Sequence, residues 1–218
     1  MQVGHIKKIK TELTSPIELK VDTDINSLNV LVGQNGSGKS FVLVLSYTLH
    51  QIMNDLIMKG NNSNWILTSC FKSPVTGFIR CEFENAWIEL KLDNTRVIKI
   101  DYDLGKVNIL TKALYLSSTM RTFSNVDMYM TLRQTMTVDQ LCDIYPHYDV
   151  MYVEMLFAKC PFELKLNESQ KLLTEATGLD IKDFTITYDK GFKIGDKHIS
   201  SLNSGSQAIL TMLIAGSL

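Results

Sequence analysis

Eight consecutive residues, Gly33-Gln34-Asn35-Gly36-Ser37-Gly38-Lys39-Ser40, match the pattern G-x-x-x-x-G-K-[ST] at every fixed position. Those residue types at that spacing suit the cradling of a polyphosphate. Glycines such as Gly36 and Gly38 tolerate φ > 0 and let backbone N–H groups approach an anion with no Cβ in the way. A helix opening near Lys39 would aim its unpaired N–H groups and the positive end of its dipole at the same anion. Lys39 would place a mobile charge on the β- and γ-phosphates of ATP, and the Ser40 hydroxyl would ligate Mg²⁺. The candidate nucleotide contacts are therefore Asn35, Gly36, Ser37, Gly38, Lys39, Ser40 and Phe41, with Ser40 also the metal contact.

A Gly-rich turn can match such a pattern by accident, so the flanking elements matter. The apolar run 28–32 predicts a short buried strand, and 41–58 predicts a helix. That helix is apolar nearly all round, which calls for burial against a sheet, and 60–64 ends it as a loop. Upstream, 5–13 and 17–21 alternate around Pro16 and predict two antiparallel strands with one wet face, where Lys7, Lys8 and Lys10 are solvated. From 77 to 110 the period is two, predicting a meander of strands over 78–83, 86–92, 96–102 and 106–110. The unbroken apolar run 113–116 predicts a buried strand leading into 117–121.

Helical signals then dominate 125–178. Thr137 predicts an N-cap for 138–144, a second helix is expected over 149–158, and Asn167 with Gln170 opens a third that Gly178 closes. Short strands are expected again at 184–188, 192–194 and 197–200. They precede Leu202-Asn203-Ser204-Gly205-Ser206-Gln207 and an apolar helix over 208–215.

Composition sets wide bounds. The 218 residues carry 45% apolar and 21% charged residues and a net charge of −1, so charge gives no argument for DNA, though DNA stays open as a partner. Cys70, Cys81, Cys142 and Cys160 are scattered with no metal-ligand spacing, and are expected as free thiols in a reducing compartment. With no basic-then-apolar leader and no apolar run approaching about 18 residues, the expected location is the cytoplasm, away from any membrane.

Two motifs in this order resemble the head of an ABC-type ATPase. One is G-Q-N-G-S-G-K-S after a β-hairpin, and the other is L-N-S-G-S-Q opening a helix. The second is similar to the signature form L-S-S-G-E-Q of the soluble branch that includes SMC, RecF-like and OLD (overcoming lysogenization defect) ATPases. Asn203 replaces its first Ser, and Ser206 its Gly or Glu. The resemblance implies an α/β P-loop NTPase fold, with an antiparallel β subdomain and a helical insert. It implies one domain over 1–218, with 1–60 and 77–121 as the β-rich core, 122–180 the helical subdomain, and 181–218 the signature region. It further implies that Ser204, Gly205 and Gln207 meet the γ-phosphate held by a second copy, so that two heads dimerise around ATP. A partner nuclease or other effector, and work in DNA processing, repair or phage defence, follow by the same resemblance.

Hydrolysis in that branch needs an apolar strand ending in Asp-Glu after the signature helix, the Walker B portion, and none precedes Leu218. The run Val97-Ile98-Lys99-Ile100-Asp101 comes before the signature and carries alternating charge, so it is set aside. Three explanations stand: a longer protein, a strand supplied by another chain, or a shortened non-hydrolysing relative. ATPase activity is therefore conditional, and a nucleotide-binding regulatory module is the alternative. Gln134 and Gln140 lie on helix-like stretches, not at a Q-loop. A small-molecule kinase would want clustered arginines, whereas Arg80, Arg96, Arg121 and Arg133 are dispersed.

Overall fold

The computed structural model describes residues 3–26, 29–60, 64–71, 73–107, 109–110, 113–117, 120, 123–159, 162–163, 174–175, 185–188, 190–194 and 196–217. The helix expected over 167–178 falls largely outside them, as do Leu28, Arg121 and Cys160. The chain is a mixed α/β protein that divides into two compact units, Met1–Tyr115 and Leu116–Leu218.

The first unit contains β1 (Val3–Gly4), β2 (Ile6–Ser15), β3 (Leu19–Asp24), α1 (Lys39–Lys59), α2 (Asn64–Cys70), β4 (Thr76–Phe83), β5 (Ala86–Asp93), β6 (Arg96–Asp103) and β7 (Ile109–Leu110). Five of these strands make one antiparallel sheet in the order β3-β2-β4-β5-β6. Period-two alternation explains the sheet: Ile9, Leu13, Ile79, Cys81, Ile88 and Leu90 face the core, all at most 2% exposed. The opposite face carries Lys8, Lys10, Arg80, Glu82 and Glu89. At the β5–β6 turn Asn94 and Thr95 both have positive φ, which matches a two-residue hairpin to the right-handed twist of its strands. A β-branched residue resists that conformation, and Thr95 is held in it by exchanging two hydrogen bonds with Val75: its N–H donates to the Val75 carbonyl at 2.8 Å, and its Oγ1 accepts the Val75 N–H at 3.0 Å.

Three strand expectations fail. The predicted strand over 28–32 is irregular over 29–32, with Val30 75% and Val32 89% exposed. An all-apolar strand needs ladder partners, and among the described residues none pairs with it. Locally, Asn29 competes for the backbone: its Oδ1 accepts the Asn26 N–H at 3.0 Å and its Nδ2 donates to the Asn26 carbonyl at 2.7 Å. The run 113–116 likewise forms no strand and is half-buried. The expected fourth meander strand shrinks to β7, which leaves the sheet and pairs in parallel with β1. Helix α2 is not among the expected elements, although Asn62, Ser63 and Asn64 are residue types that favour helix starts.

Helix α1 is long and apolar enough to cross a membrane by length and composition, although polar residues such as Ser46, His50 and Asp55 interrupt every apolar run in it. Over half of it is buried inside the fold, where Leu45, Leu49, Ile52 and Met53 are fully enclosed. Gly60 ends it in a left-handed C-cap, its N–H donating to the Leu56 carbonyl.

The second unit contains α3 (Phe123–Arg133), α4 (Val138–Ile144), α5 (His147–Lys159), β8 (Phe162–Glu163), β9 (Thr185–Tyr188), β10 (Phe192–Ile194), β11 (Lys197–His198), a 3₁₀ turn (Ile199–Ser201) and α6 (Ser204–Ser217). The strands form an antiparallel sheet ordered β11-β10-β9-β8. Thr137 caps α4 as expected, in a reciprocal box with Gln140. Phe123, Tyr129, Tyr152, Leu156, Phe192 and Leu210 are fully buried, and the Phe123 and Phe192 rings meet edge to face at 5.6 Å. Helix α6 opens at Ser204, four residues earlier than the expected start, so the L-N-S-G-S-Q segment supplies its cap and first turn. Cys70, Cys81 and Cys142 are free thiols, and burial pushes the Cys81 thiol well up.

Candidate functional site

Residues 33–40 form an exposed loop that runs into α1. Gly36 and Gly38 have φ of 81° and 85°, the conformation that only glycine adopts cheaply. Gly38 is the N-cap of α1 and brings no side chain, and no acidic residue lies in the first turn. The first intrahelical bond here runs from the Val42 N–H to the Gly38 carbonyl at 2.9 Å. The N–H groups of Lys39, Ser40 and Phe41 therefore lie before the ladder begins, at the positive end of a 21-residue helix.

The loop is closed on itself by Lys39. Its Nζ donates to the carbonyls of Gly33 (2.7 Å) and Gln34 (2.6 Å) and to Ser37 Oγ (3.3 Å). The ammonium thus bridges the two sides of the loop within reach of whatever the loop encloses. Packing is tight behind it: a Cβ on Gly38 would come within 2.8 Å of Ile17 Cδ1, and one on Gly33 within 2.8 Å of Ser37 Oγ. Asn35, Ser37 and Ser40 are exposed. Phe41 differs, because its ring is half-buried 5.0 Å from that of Phe71 and anchors the helix start, leaving its backbone N–H as the group with anion-binding chemistry.

Among the described residues no group of three or more His, Cys, Asp or Glu side chains could hold a metal ion. Mg²⁺ keeps several waters and binds through one or two protein oxygens plus substrate phosphates, so the exposed Ser40 hydroxyl in the first turn of α1 fits that habit.

The signature segment builds a corner. Asn203 Oδ1 accepts the Ser206 N–H at 2.9 Å and the Asn203 carbonyl accepts the Gln207 N–H at 3.0 Å, which makes Asn203 the N-cap of α6. Ser204 and Gly205 are exposed, while Ser206 and Gln207 are buried. Gly205 needs no special backbone, since a Cβ there would meet Asn203 Oδ1 at an ordinary 3.4 Å. Gln207 is the third of the expected γ-phosphate contacts in this segment. It is 5% exposed and its amide is used internally: Oε1 accepts the Phe123 N–H at 2.8 Å, and Nε2 donates to the carbonyls of Leu202 (2.7 Å) and Ser200 (3.2 Å).

Residues set aside from the sequence are placed consistently with that choice. Asp101 lies on β6, an end strand of the five-stranded sheet, and pairs with Lys99 at 2.6 Å. Gln140 is used in the α4 cap, Arg80 pairs with Glu82 and Glu89, and Arg133 pairs with Glu154 at 2.8 Å. The charged face of the sheet holds an open basin of about 410 Å³, but its cations and carboxylates alternate and pair, with Lys8 holding the Asp22 carboxyl below its ordinary value at 2.8 Å. It is a solvated face. Sequence reasoning missed Asp127, whose Oδ1 accepts the Phe192 N–H at 3.2 Å and whose carboxyl is pushed up by burial. No local pattern marks it, because its partners lie 65 and more residues away. Asn203 could have been found, since Asn just before the first residue of a helix is a favoured N-cap. Compared with protein-family models, curated proteins and solved structures, the chain matches none.

Proposed function

We propose that this chain is an ATP-binding head of the P-loop NTPase type, resembling the SMC, RecF and OLD branch of ABC ATPases. The observation that carries the proposal is the start of α1: two left-handed glycines, no side-chain cap, no acidic residue, and Lys39 and Ser40 in the first turn. A triphosphate would take the N–H groups of residues 36–41, Lys39 would move from the Gly33 and Gln34 carbonyls onto its oxygens, and Ser40 would share Mg²⁺ with them. The exposed Ser204–Gly205 corner of a second copy would meet the γ-phosphate from the other side. The antiparallel five-stranded sheet and the mainly helical second unit are compatible with the β subdomain and helical insert of such heads. Cytoplasmic location, a nuclease or other effector partner, and a role in DNA processing or phage defence rest on the resemblance alone.

A second reading, a nucleotide-binding module that does not hydrolyse ATP, rests on Asp101: this acidic end of an apolar run lies on the end strand β6 and pairs with Lys99 at 2.6 Å. Titration with a fluorescent ATP analogue and Mg²⁺ tests the shared premise. Lys39→Ala should weaken binding about a hundredfold, the worth of a charged hydrogen-bonded contact, and leave the melting temperature unchanged. Equal affinity in the variant would refute the site. Phosphate release by the wild type separates the two readings, and gel filtration with a slowly hydrolysed analogue tests the dimer.

A further inference from the structure

The Gln207 side chain meets three segments at once. It accepts from the first backbone N–H of α3, at Phe123, and donates to the carbonyl of Ser200, inside the 3₁₀ turn that leads into α6, and to that of Leu202, just after it. All of this happens in a site 5% exposed, directly beneath the corner formed by Ser204 and Gly205. We infer that Gln207 is a positioning residue: it clamps the 3₁₀ turn and the start of α6 onto the N-terminus of α3 and so fixes where Ser204 and Gly205 point. A carboxamide suits the task because it presents an acceptor and two donors in one plane. A carboxylate would lose both donors and face two carbonyl oxygens, and a hydrocarbon would leave Phe123 N–H and two carbonyls unpaired in a buried place. The clamp is a property of the fold, whereas its use in clasping a nucleotide rests on the proposed function, and the two parts are tested separately.

Hydrogen exchange on the full chain without nucleotide reads the clamp. In Gln207→Leu the amides of Phe123, Leu202, Ser206 and Gln207 should exchange at least about tenfold faster, while those of Leu141 and Tyr145 in α4 stay as in the wild type. Gln207→Glu should match Gln207→Leu at pH 7.5 and recover near pH 5, because a buried carboxyl facing carbonyls is protonated there and regains one donor. The Asp127 carboxyl, hydrogen-bonded to Ser200 and close to His198, titrates in the same cluster, so each variant is compared with the wild type at the same pH. Unchanged exchange at the four amides, a uniform rise throughout the unit, or no recovery of Gln207→Glu in acid would each overturn the clamp. Should Gln207→Leu not fold, the acid recovery of Gln207→Glu decides. With nucleotide present, Gln207→Leu should bind the fluorescent analogue as tightly as the wild type yet self-associate about tenfold less. Weakened binding in the monomer would instead make Gln207 a ligand contact and overturn the inference. If the wild type neither binds nor associates, the proposed function fails while the exchange result stands.

Discussion

Gly38 and Gly205 carry the same letter for different reasons, and substitution separates them. Gly38 sits at φ 85° with Ile17 Cδ1 where a methyl would go, so Gly38→Ala pays twice. A left-handed L-residue costs about 1–2 kcal/mol, and overpacking adds about 1 kcal/mol or more. Chemical denaturation should therefore show Gly38→Ala less stable by about 2 kcal/mol or more, only partly relieved by Ile17→Ala. Gly205 has ordinary backbone and room for a Cβ, so Gly205→Ala should leave stability unchanged or raise it by up to about 1 kcal/mol. If it nonetheless reduces nucleotide-driven self-association, the missing side chain matters for what approaches from outside. The spacing of the first motif made the left-handed turns at Gly36 and Gly38 and the helix opening at Lys39 legible, because local backbone chemistry sets them. The burial of Gln207 was not legible, since the segments that use its amide are brought together only by folding.

Elements were readable where the signal was local and hidden where pairing partners decided. The alternation of β2 through β6 and the Thr137 cap could be read in place, whereas the run 28–32 had the composition of a strand but, over 29–32, no ladder partner among the described residues. Asp127 shows the same limit in unit two, joining α3 to β10 across 65 residues of sequence. Its carboxyl is raised chiefly by desolvation, with the Phe192 N–H, Ser200 and His198 pulling the other way. The folded state thus binds this proton more tightly than the unfolded chain, so the contribution is full below about pH 4 and is lost as pH rises through the raised folded value. Asp127→Asn keeps an acceptor for the Phe192 N–H and has no proton to lose. The wild type should therefore lose stability relative to Asp127→Asn from about pH 4 upward until the carboxyl is ionised, then run parallel to it. Urea midpoints that differ by the same amount from pH 4 to 8 would rule this out.

At the scale of the molecule, ligand binding should act on the two units in sequence. MgATP at a hundred times its dissociation constant stabilises the state that binds it by about 2.7 kcal/mol. That gain should appear first as slower amide exchange in Met1–Tyr115, which holds residues 33–40. Slower exchange at 203–207 should follow only at protein concentrations where copies associate, and protection there in a strictly monomeric sample would contradict the two-copy arrangement. Ile17 and Leu19 give the first unit one more property. They belong to the opening hairpin, yet their methyl groups crowd the space beside Gly38. The floor beneath the proposed triphosphate berth is thus laid by residues that need never touch it, and trimming either one should masquerade as a defect of affinity although the ligand has lost no contact.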